Sequence, residues 1–228
     1  MNAMRNRIRT VGAGLACAAV MMLAGSAQAY SSLNLIGIDT SDFASIAGAM
    51  ESTMTQSYDF IPQISGGDGQ VTSTVYQGIG AANGLFIYTF TIELFDTSVA
   101  SIGAVVGMTF HFGSYPADVS GIGMAFFVDD GSGNKGPDLA VYDVASETAA
   151  FRIAPSLNNG ETSLTFGLFS QNAPAPAVAN LIDSGAQGGD TTVLSNGAAV
   201  PVPEPSAPIV FALGMVVVAA HCRKRARA

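Results

Sequence analysis

Cysteine and tryptophan are the clearest absences in this chain. Its two cysteines, Cys17 and Cys222, lie near the chain ends, so residues 30–202 contain none. That stretch therefore has no disulfide and no thiolate for metal binding or catalysis. Trp is absent altogether, and with it the large aromatic surface on which sugar rings are most often bound. Packing and hydrogen bonds alone must stabilise the fold.

Basic residues are also scarce between the chain ends. Residues 30–202 carry 2 of the 9 Lys and Arg residues, Lys135 and Arg152, but 16 of the 17 Asp and Glu residues. Their formal charge is therefore −14, compared with −8 for the whole chain. A surface this acidic repels phosphate, which excludes nucleic acid as a partner and disfavours anionic lipid. It is typical of a secreted, well-solvated protein and would attract divalent cations.

The first 29 residues have the three parts of a secretory signal peptide. Three arginines precede an apolar run over residues 11–25, and small residues follow at Ala27 and Ala29, where signal peptidase requires them. The apolar run is shorter than the ~20 residues of a transmembrane helix. We predict a signal helix that is removed after Ala29, so that the exported chain begins at Tyr30. Lipoprotein processing at Cys17 is the less favoured alternative.

Residues 201–228 also divide into three parts. Pro203, Glu204 and Pro205 form an extended segment, because each proline fixes φ and keeps the preceding residue out of the helical region. Residues 207–220 are an apolar stretch of 14 residues, about 21 Å long as a helix, so crossing a ~30 Å bilayer core requires flanking residues or local thinning. A basic cluster follows, which would stay on the cytoplasmic side.

This tail closely resembles the PEP-CTERM sorting signal of Gram-negative bacteria. A Pro-Glu-Pro motif, a short membrane helix and an Arg-rich end occur in that order, over about 26 residues. The resemblance implies processing by an exosortase, a membrane protease whose substrates reach the cell surface or the exopolysaccharide matrix. Pro203, Glu204 and Pro205 are the motif positions that carry over. A plain tail anchor is the alternative, although it needs no Pro-Glu-Pro motif.

Between the two signals, the sequence predicts an all-β domain over residues 30–200. In the predicted strand over residues 85–95, alternate residues are apolar: Phe86, Tyr88, Phe90, Ile92 and Leu94. Further strands are predicted over residues 71–76, 102–112, 121–128, 139–144, 151–154, 162–169 and 191–194. Turn-rich joints separate them, and no βαβ alternation is present. The pattern predicts an antiparallel β-sandwich or jelly-roll ectodomain.

One short helix is predicted near the start of this domain, over residues 41–54, with Ser41 as its N-cap. Apolar residues recur there at helical spacing: Phe43, Ile46, Ala47, Met50 and Met54. After Ser170, residues 173–176 and 185–189 are rich in Ala, Pro and Gly. They are predicted to form a surface loop.

The best candidate site is the turn-rich segment over residues 129–138. Asp130, Ser132 and Asn134 offer oxygens at alternate positions, and Asp138 follows, a spacing that resembles a calcium loop. The positions at which a helix-loop-helix calcium loop has Gly and a bidentate Glu carry Lys and Val instead. Asp, Gly, Ser, Asn and Pro are equally the residues of a hairpin connection. Both interpretations, a calcium site and a plain turn, stay open.

The domain offers little for catalysis. His111 is its only histidine, its strand pattern turns it away from the apolar face, and no Gly-x-Ser-x-Gly motif accompanies it. No catalytic or cofactor-binding residue is therefore predicted, and calcium is the one cofactor considered. The favoured hypothesis is a non-catalytic surface or matrix protein associated with exopolysaccharide or biofilm. A carbohydrate-binding module, and a secreted hydrolase with paired carboxylates, are the alternatives.

Overall fold

Two six-stranded β-sheets pack face to face in the computed structural model, which describes residues 30–60, 68–95, 104–184 and 188–196. The strands in chain order are β1 (Tyr30–Ser32), β2 (Leu35–Asp39), β3 (Ala47–Tyr58), β4 (Gly69–Gly78), β5 (Phe86–Leu94), β6 (Val105–His111), β7 (Ala125–Asp129), β8 (Pro137–Asp143), β9 (Thr148–Leu157), β10 (Thr165–Ser170), β11 (Ala175–Asp183) and β12 (Gly188–Ser195). The described helical elements are α1 (Thr40–Ile46) and a 3-10 turn (Gly80–Ala82).

The two sheets have simple strand orders. Sheet A runs β1-β8-β9-β6-β11-β12, and sheet B runs β2-β7-β10-β5-β4-β3. Neighbouring strands are antiparallel except β2 and β7, which are parallel. The predicted all-β class is confirmed for the described residues, as is one short helix near the start of the domain.

The first two strands connect the sheets at one side of the sandwich. β1 pairs with β8 in sheet A, and β2 pairs with β7 in sheet B. Between them, the Leu33 N–H donates to Ala140 O, while Asn34 O accepts from the N–H groups of Met124 and Ala125. The backbone thus remains hydrogen-bonded as it passes from one sheet to the other, as a buried backbone requires.

The main core lies between the sheets and is rich in aromatic rings. Phe90 of sheet B is fully buried, and its ring centroid lies 4.6 Å from that of Phe110 in sheet A and 6.0 Å from that of Phe166. The predicted apolar face of β5 is confirmed, because Tyr88, Phe90, Ile92 and Leu94 are buried in this core. Without disulfides, this packing supplies most of the stabilising free energy.

A second apolar cluster covers part of the outer face of sheet B. Helix α1 lies over it, and the ring of Phe43 contacts Tyr76 at 5.7 Å and Phe126 at 5.9 Å between centroids. Ile46 at the end of the helix is buried in the same cluster. The helix therefore shields strand residues that would otherwise expose an apolar face to water.

The predicted helix over residues 41–54 is wrong beyond Ile46. Asp39 is the N-cap rather than Ser41, since its carboxylate accepts from the Asp42 N–H at 2.7 Å. Ser41 donates its hydroxyl hydrogen to the same carboxylate. From Ala47 the chain continues as β3, whose 12 residues pair with β4. Ladder hydrogen bonds with β4 outweigh the helical spacing of a few apolar residues.

The predicted loop after Ser170 is also partly wrong. β11 begins at Ala175 and lies between β6 and β12 in sheet A. Ala177, Ala179 and Leu181 are buried along it. Residues 185–187 lie outside the described part of the chain, and the two glycines after them begin β12.

The sandwich has two unlike ends, and strand pairing assigns the connections between strands to them, except for β1–β2, which crosses between the sheets, and β2–β3, in which α1 runs from one end to the other. We call the end that holds both Tyr30 and Asn196 the exit pole, because β12 ends there beside the ends of β6, β8 and β10. The opposite end is the loop pole. It carries the β3–β4, β5–β6, β7–β8, β9–β10 and β11–β12 connections. The chain therefore enters and leaves the domain at the same end.

Candidate functional site

The segment predicted as a calcium loop connects β7 to β8 at the loop pole. Its side chains bind its own backbone: Asp130 Oδ1 accepts from the Ser132 N–H at 2.9 Å, and Ser132 Oγ accepts from the Asn134 N–H at 3.2 Å. The Ser132 hydroxyl and N–H hold the pKa of Asp130 below its usual value. These are the hydrogen bonds of consecutive Asx and Ser turns. Three predicted ligands thus share one exposed loop.

The fourth predicted ligand, Asp138, lies at the start of β8 and binds an arginine. Arg152 Nε donates to its Oδ1 at 2.9 Å, and an Arg152 terminal N–H donates to Oδ2 at 2.6 Å. This bidentate pair holds the pKa of Asp138 below its usual value. Among the described residues, no three His, Cys, Asp or Glu side chains lie together in a way that could hold a metal ion.

We expect calcium to leave the melting temperature of the protein unchanged. The loop oxygens already accept N–H hydrogen bonds, and both oxygens of Asp138 are held by Arg152. An ion bound only by the folded state would raise the melting temperature with its concentration. The measurement is thermal unfolding in millimolar calcium, with magnesium as control. A calcium-dependent rise that Asp130→Ala abolishes would show instead that the loop is a calcium site.

Lys135 fastens this loop to the neighbouring connection. Its ammonium donates to Ser156 O at 2.8 Å and pairs with the Glu161 carboxylate. The Asn158 N–H, and then Lys135, hold the pKa of Glu161 below its usual value. The Leu164 N–H also donates to Lys135 O at 2.8 Å. Both basic side chains of the domain, Lys135 and Arg152, are thus engaged in pairs within the domain.

His111 lies at the exit-pole end of β6 and was predicted to face solvent. Its side chain is half-buried, 22% exposed, and Nε2 lies 3.7 Å from Glu147 Oε2. Its backbone carbonyl accepts from Ser195 Oγ at 2.5 Å. The described contacts of His111 are thus the approach of its ring to a carboxylate and a strand-end hydrogen bond to its backbone. They are structural, since neither activates a nucleophile.

A shallow apolar depression of about 230 Å³ lies on the outer face of sheet A. Small residues of β6 and β9 form its floor, and larger ones rise around it. Its lining is Val106, Gly107, Thr109, Leu139, Val141, Ala150, Phe151, Arg152 and Ile182. Arg152 is the one charged member of that set, and it is paired with Asp138. The lining offers no carboxylate, imidazole or thiol for acid, base or nucleophilic chemistry.

The outer face of sheet B carries a different surface, which we call the threonine field. It extends from the edge strand β3 across β4 and β5 to β10. Its hydroxyls bond in pairs across strands, at 3.0 Å for Thr53–Thr74, 3.0 Å for Thr55–Thr72 and 3.2 Å for Thr91–Thr165. Hydroxyl and methyl groups alternate on such a surface without any Lys or Arg, so it suits uncharged, hydroxyl-rich partners better than anions.

The end of β12 is fixed by a buried polar group of residues, the exit network: Ser114, Ser170, Ser195 and Asn196. The Asn196 side-chain amide donates to Ser114 Oγ at 2.8 Å and to Ser170 Oγ at 2.7 Å. Ser170 ends β10 in sheet B, whereas Ser195 bonds to β6 in sheet A. Sequence patterns gave no indication of this network, because its members come from three distant segments.

The predicted processing residues lie outside the described part of the chain. They are Ala27 and Ala29 in the signal peptide and Pro203, Glu204 and Pro205 in the sorting signal. The apolar stretch over residues 207–220 lies outside it as well. Within the described ranges, no helix has the length and hydrophobicity needed to cross a membrane.

Neither a protein-family model nor a curated protein matches this sequence.

Proposed function

We propose that this chain is an exported protein that an exosortase processes at the inner membrane and that then reaches the cell surface or the exopolysaccharide matrix. Its role there is structural or interactive rather than catalytic. The observation that carries the proposal is the ordered tail: Pro203, Glu204 and Pro205, then the apolar stretch 207–220, then a basic end. The same chain starts with the predicted export signal over residues 1–29, which a sorting signal of this kind requires.

The position of the domain relative to the tail supports this route. The last described residue, Asn196, is seven residues before Pro203. A fully extended chain spans at most ~3.3–3.6 Å per residue, so the motif lies within about 25 Å of the domain. Every described strand precedes the motif in the chain, since β12 ends at Ser195. Removal of the tail by a membrane protease would therefore leave all of these strands in the mature protein.

The contacts of the chemically versatile side chains support a non-catalytic role. Lys135 pairs with Glu161, Arg152 pairs with Asp138, and His111 faces Glu147 at 3.7 Å. Lys135 and Arg152 are thus each bound to a carboxylate of the domain itself. A general base or nucleophile requires a group left available to a substrate, which these contacts do not provide.

The threonine field supports association with exopolysaccharide. Its exposed members, Thr53 and Thr55, lie on the edge strand β3, where a polymer chain has access to them. The Thr55–Thr72 pair keeps one donor and free acceptor capacity for sugar hydroxyls, whereas in the Thr53–Thr74 pair Thr53 Oγ1 also donates to Ser73 O at 3.4 Å, so that pair offers acceptors. The absence of basic residues on this surface favours a neutral polymer over an acidic one.

The test compares the protein in cells that contain an exosortase and in the same cells without it. With the enzyme, we expect a mature protein that begins at Tyr30, has lost the tail and is recovered outside the inner membrane. Without it, the protein should keep its tail and remain in the membrane fraction. Intact-mass spectrometry of each fraction measures both ends. A tail retained in both cells, or removed equally in both, would show that it is an ordinary anchor.

A further inference from the structure

Exposed apolar side chains are concentrated at one end of the sandwich. Among the described residues, the large hydrophobic side chains that are exposed to solvent are Tyr30, Met50, Ile79, Tyr115, Val144 and Val178. Their exposed fractions range from 44% to 59%. All six lie at the exit pole or in the half of the sandwich next to it. Scattered single exposures are common on protein surfaces, but their confinement to one end is not.

Strand pairing places each of these residues. Tyr30 begins β1 opposite Asp143, the last residue of β8, and Val144 follows directly in the β8–β9 turn. Ile79 follows the end of β4, and Tyr115 lies in the connection after β6. The remaining two are on strands near the same end: Met50 pairs with Tyr76, and Val178 pairs with Thr192.

The opposite end carries the exposed carboxylates of the loops. Asp39, Asp59, Asp129, Asp130 and Asp138 are all exposed at the loop pole. The exit pole has exposed acids too, which are Glu51, Asp118 and Glu147, and none of the described residues at this end is Lys or Arg. Electrostatic attraction to anionic lipid therefore plays no part at this end. Any contact with a membrane must come from the apolar side chains and must suit uncharged headgroups.

We propose that the exit pole docks on the lipid surface of the membrane that holds the tail, with the ring of Tyr115 and the side chains of Ile79 and Val144 at the headgroup level. This inference rests on the proposed function, because the tail must hold the domain at a membrane. From Asn196 to the apolar stretch at residue 207 is eleven residues, at most about 40 Å when extended. The exit pole is thus the end of the domain to which the proposed membrane tether is joined.

The chemistry of this end fits a lipid interface. Tyrosine combines an apolar ring with a polar hydroxyl and is enriched at the boundary between hydrocarbon and water. The Tyr115 ring is supported from below by Tyr142, whose centroid lies 5.4 Å away at 87°. The loop pole, with its acidic side chains, then faces away from the membrane. Docking of this kind is weak by itself and depends on the tether for its effective concentration.

The absence of Trp allows a direct test on the full-length chain. Tyr115→Trp and Val144→Trp each introduce a single fluorescent residue at the exit pole, and Asn134→Trp introduces one at the loop pole as matched control. Each variant is reconstituted into phosphatidylcholine vesicles whose acyl chains carry bromine, a quencher of Trp fluorescence. We expect several-fold stronger quenching and a blue-shifted emission for Trp at 115 and 144 than for Trp at 134.

A double variant and a vesicle flotation assay distinguish failure of the docking from failure of the tether. Adding Ile79→Ser to Val144→Trp should weaken the quenching, because it removes a second apolar contact between the exit pole and the lipid. Equal quenching at both poles, in protein that floats with the vesicles, would overturn the docking and leave the proposed function intact. Protein that does not float with the vesicles would overturn the membrane tether itself, and the docking with it. Circular dichroism of each variant verifies that the β-sheet content is unchanged.

Discussion

Glu204→Ala is expected to leave export and membrane insertion intact and to abolish removal of the tail. The two features proposed to hold the chain, the apolar stretch 207–220 and the basic end, are unchanged by this substitution. The altered residue is the one charged group of the Pro-Glu-Pro motif, whose prolines predict an extended segment. A protease that recognises this segment then loses its polar contact. The result is a full-length, membrane-bound protein in cells that contain an exosortase.

Two matched variants separate recognition from anchoring. Val202→Ala changes a neighbouring residue without altering the Pro-Glu-Pro motif and should be processed like the parent. Deleting residues 223–227 should instead disturb membrane retention or orientation, because basic residues hold that end in the cytoplasm. Immunoblotting of membrane and external fractions resolves the three phenotypes. Normal maturation of the Glu204→Ala protein would contradict the assignment of the motif.

Phe90→Ala is expected to lower the free energy of unfolding by about 3–5 kcal/mol, the cost of a large cavity in a packed core. Phe90 is fully buried, and its ring contacts Phe110 across the sandwich and Phe166 on the neighbouring strand. A loss of this size is a large fraction of the ~5–15 kcal/mol that stabilise a typical domain. No disulfide compensates for it, since residues 30–202 contain no cysteine.

Denaturant unfolding followed by circular dichroism measures this change. Phe90→Leu is the control for volume, and its cost should stay below about 1.5 kcal/mol if the core repacks around a smaller apolar side chain. Val178→Ala, at an exposed position of β11, should change stability very little. A Phe90→Ala protein as stable as the parent would contradict the packing of the two sheets through this residue.

Alternation made some strands predictable from the sequence. β5 was recognised because its large apolar residues recur at every second position, and those positions are the ones the core buries. β11 was missed because its inward positions are mostly Ala, at 177 and 179, and two prolines stand before them. Alanines carry little periodic signal, yet they fit where the neighbouring strands supply large side chains.

The segment after Ile46 shows the opposite error. Apolar residues at helical spacing predicted a longer helix, but Met50 is 59% exposed and Met54 packs partly against the core from strand β3. What decides the conformation is the pairing of Ala47–Tyr58 with β4, which a single sequence does not display. Long-range ladder hydrogen bonds override local preference along this edge strand, although most of its residues stay exposed.

The composition of residues 129–138 predicted a turn-rich connection, but it did not predict which other strands that connection contacts. Asp, Ser and Asn at alternate positions did identify an exposed connection whose side chains bind backbone N–H groups. The partner of Asp138, however, is Arg152 on the adjacent strand, 14 residues away in sequence. Residue spacing along the chain does not predict such an ion pair between two strands. The exit network was invisible for the same reason, since it joins residues 114, 170 and 196.

The exit network can form only after β12 has folded onto the other strands, because Asn196 follows directly after that strand. β12 is the last strand to emerge from a translocation channel that releases the N-terminus first. Until it emerges, Ser73 Oγ has no Leu194 N–H to accept from, and the hydroxyls of Ser114 and Ser170 have no amide from Asn196. The proposed membrane stop begins only eleven residues after Asn196. A chain arrested at this proposed stop would have just delivered its final strand, and the sandwich would then be complete before the proposed processing removes the tail.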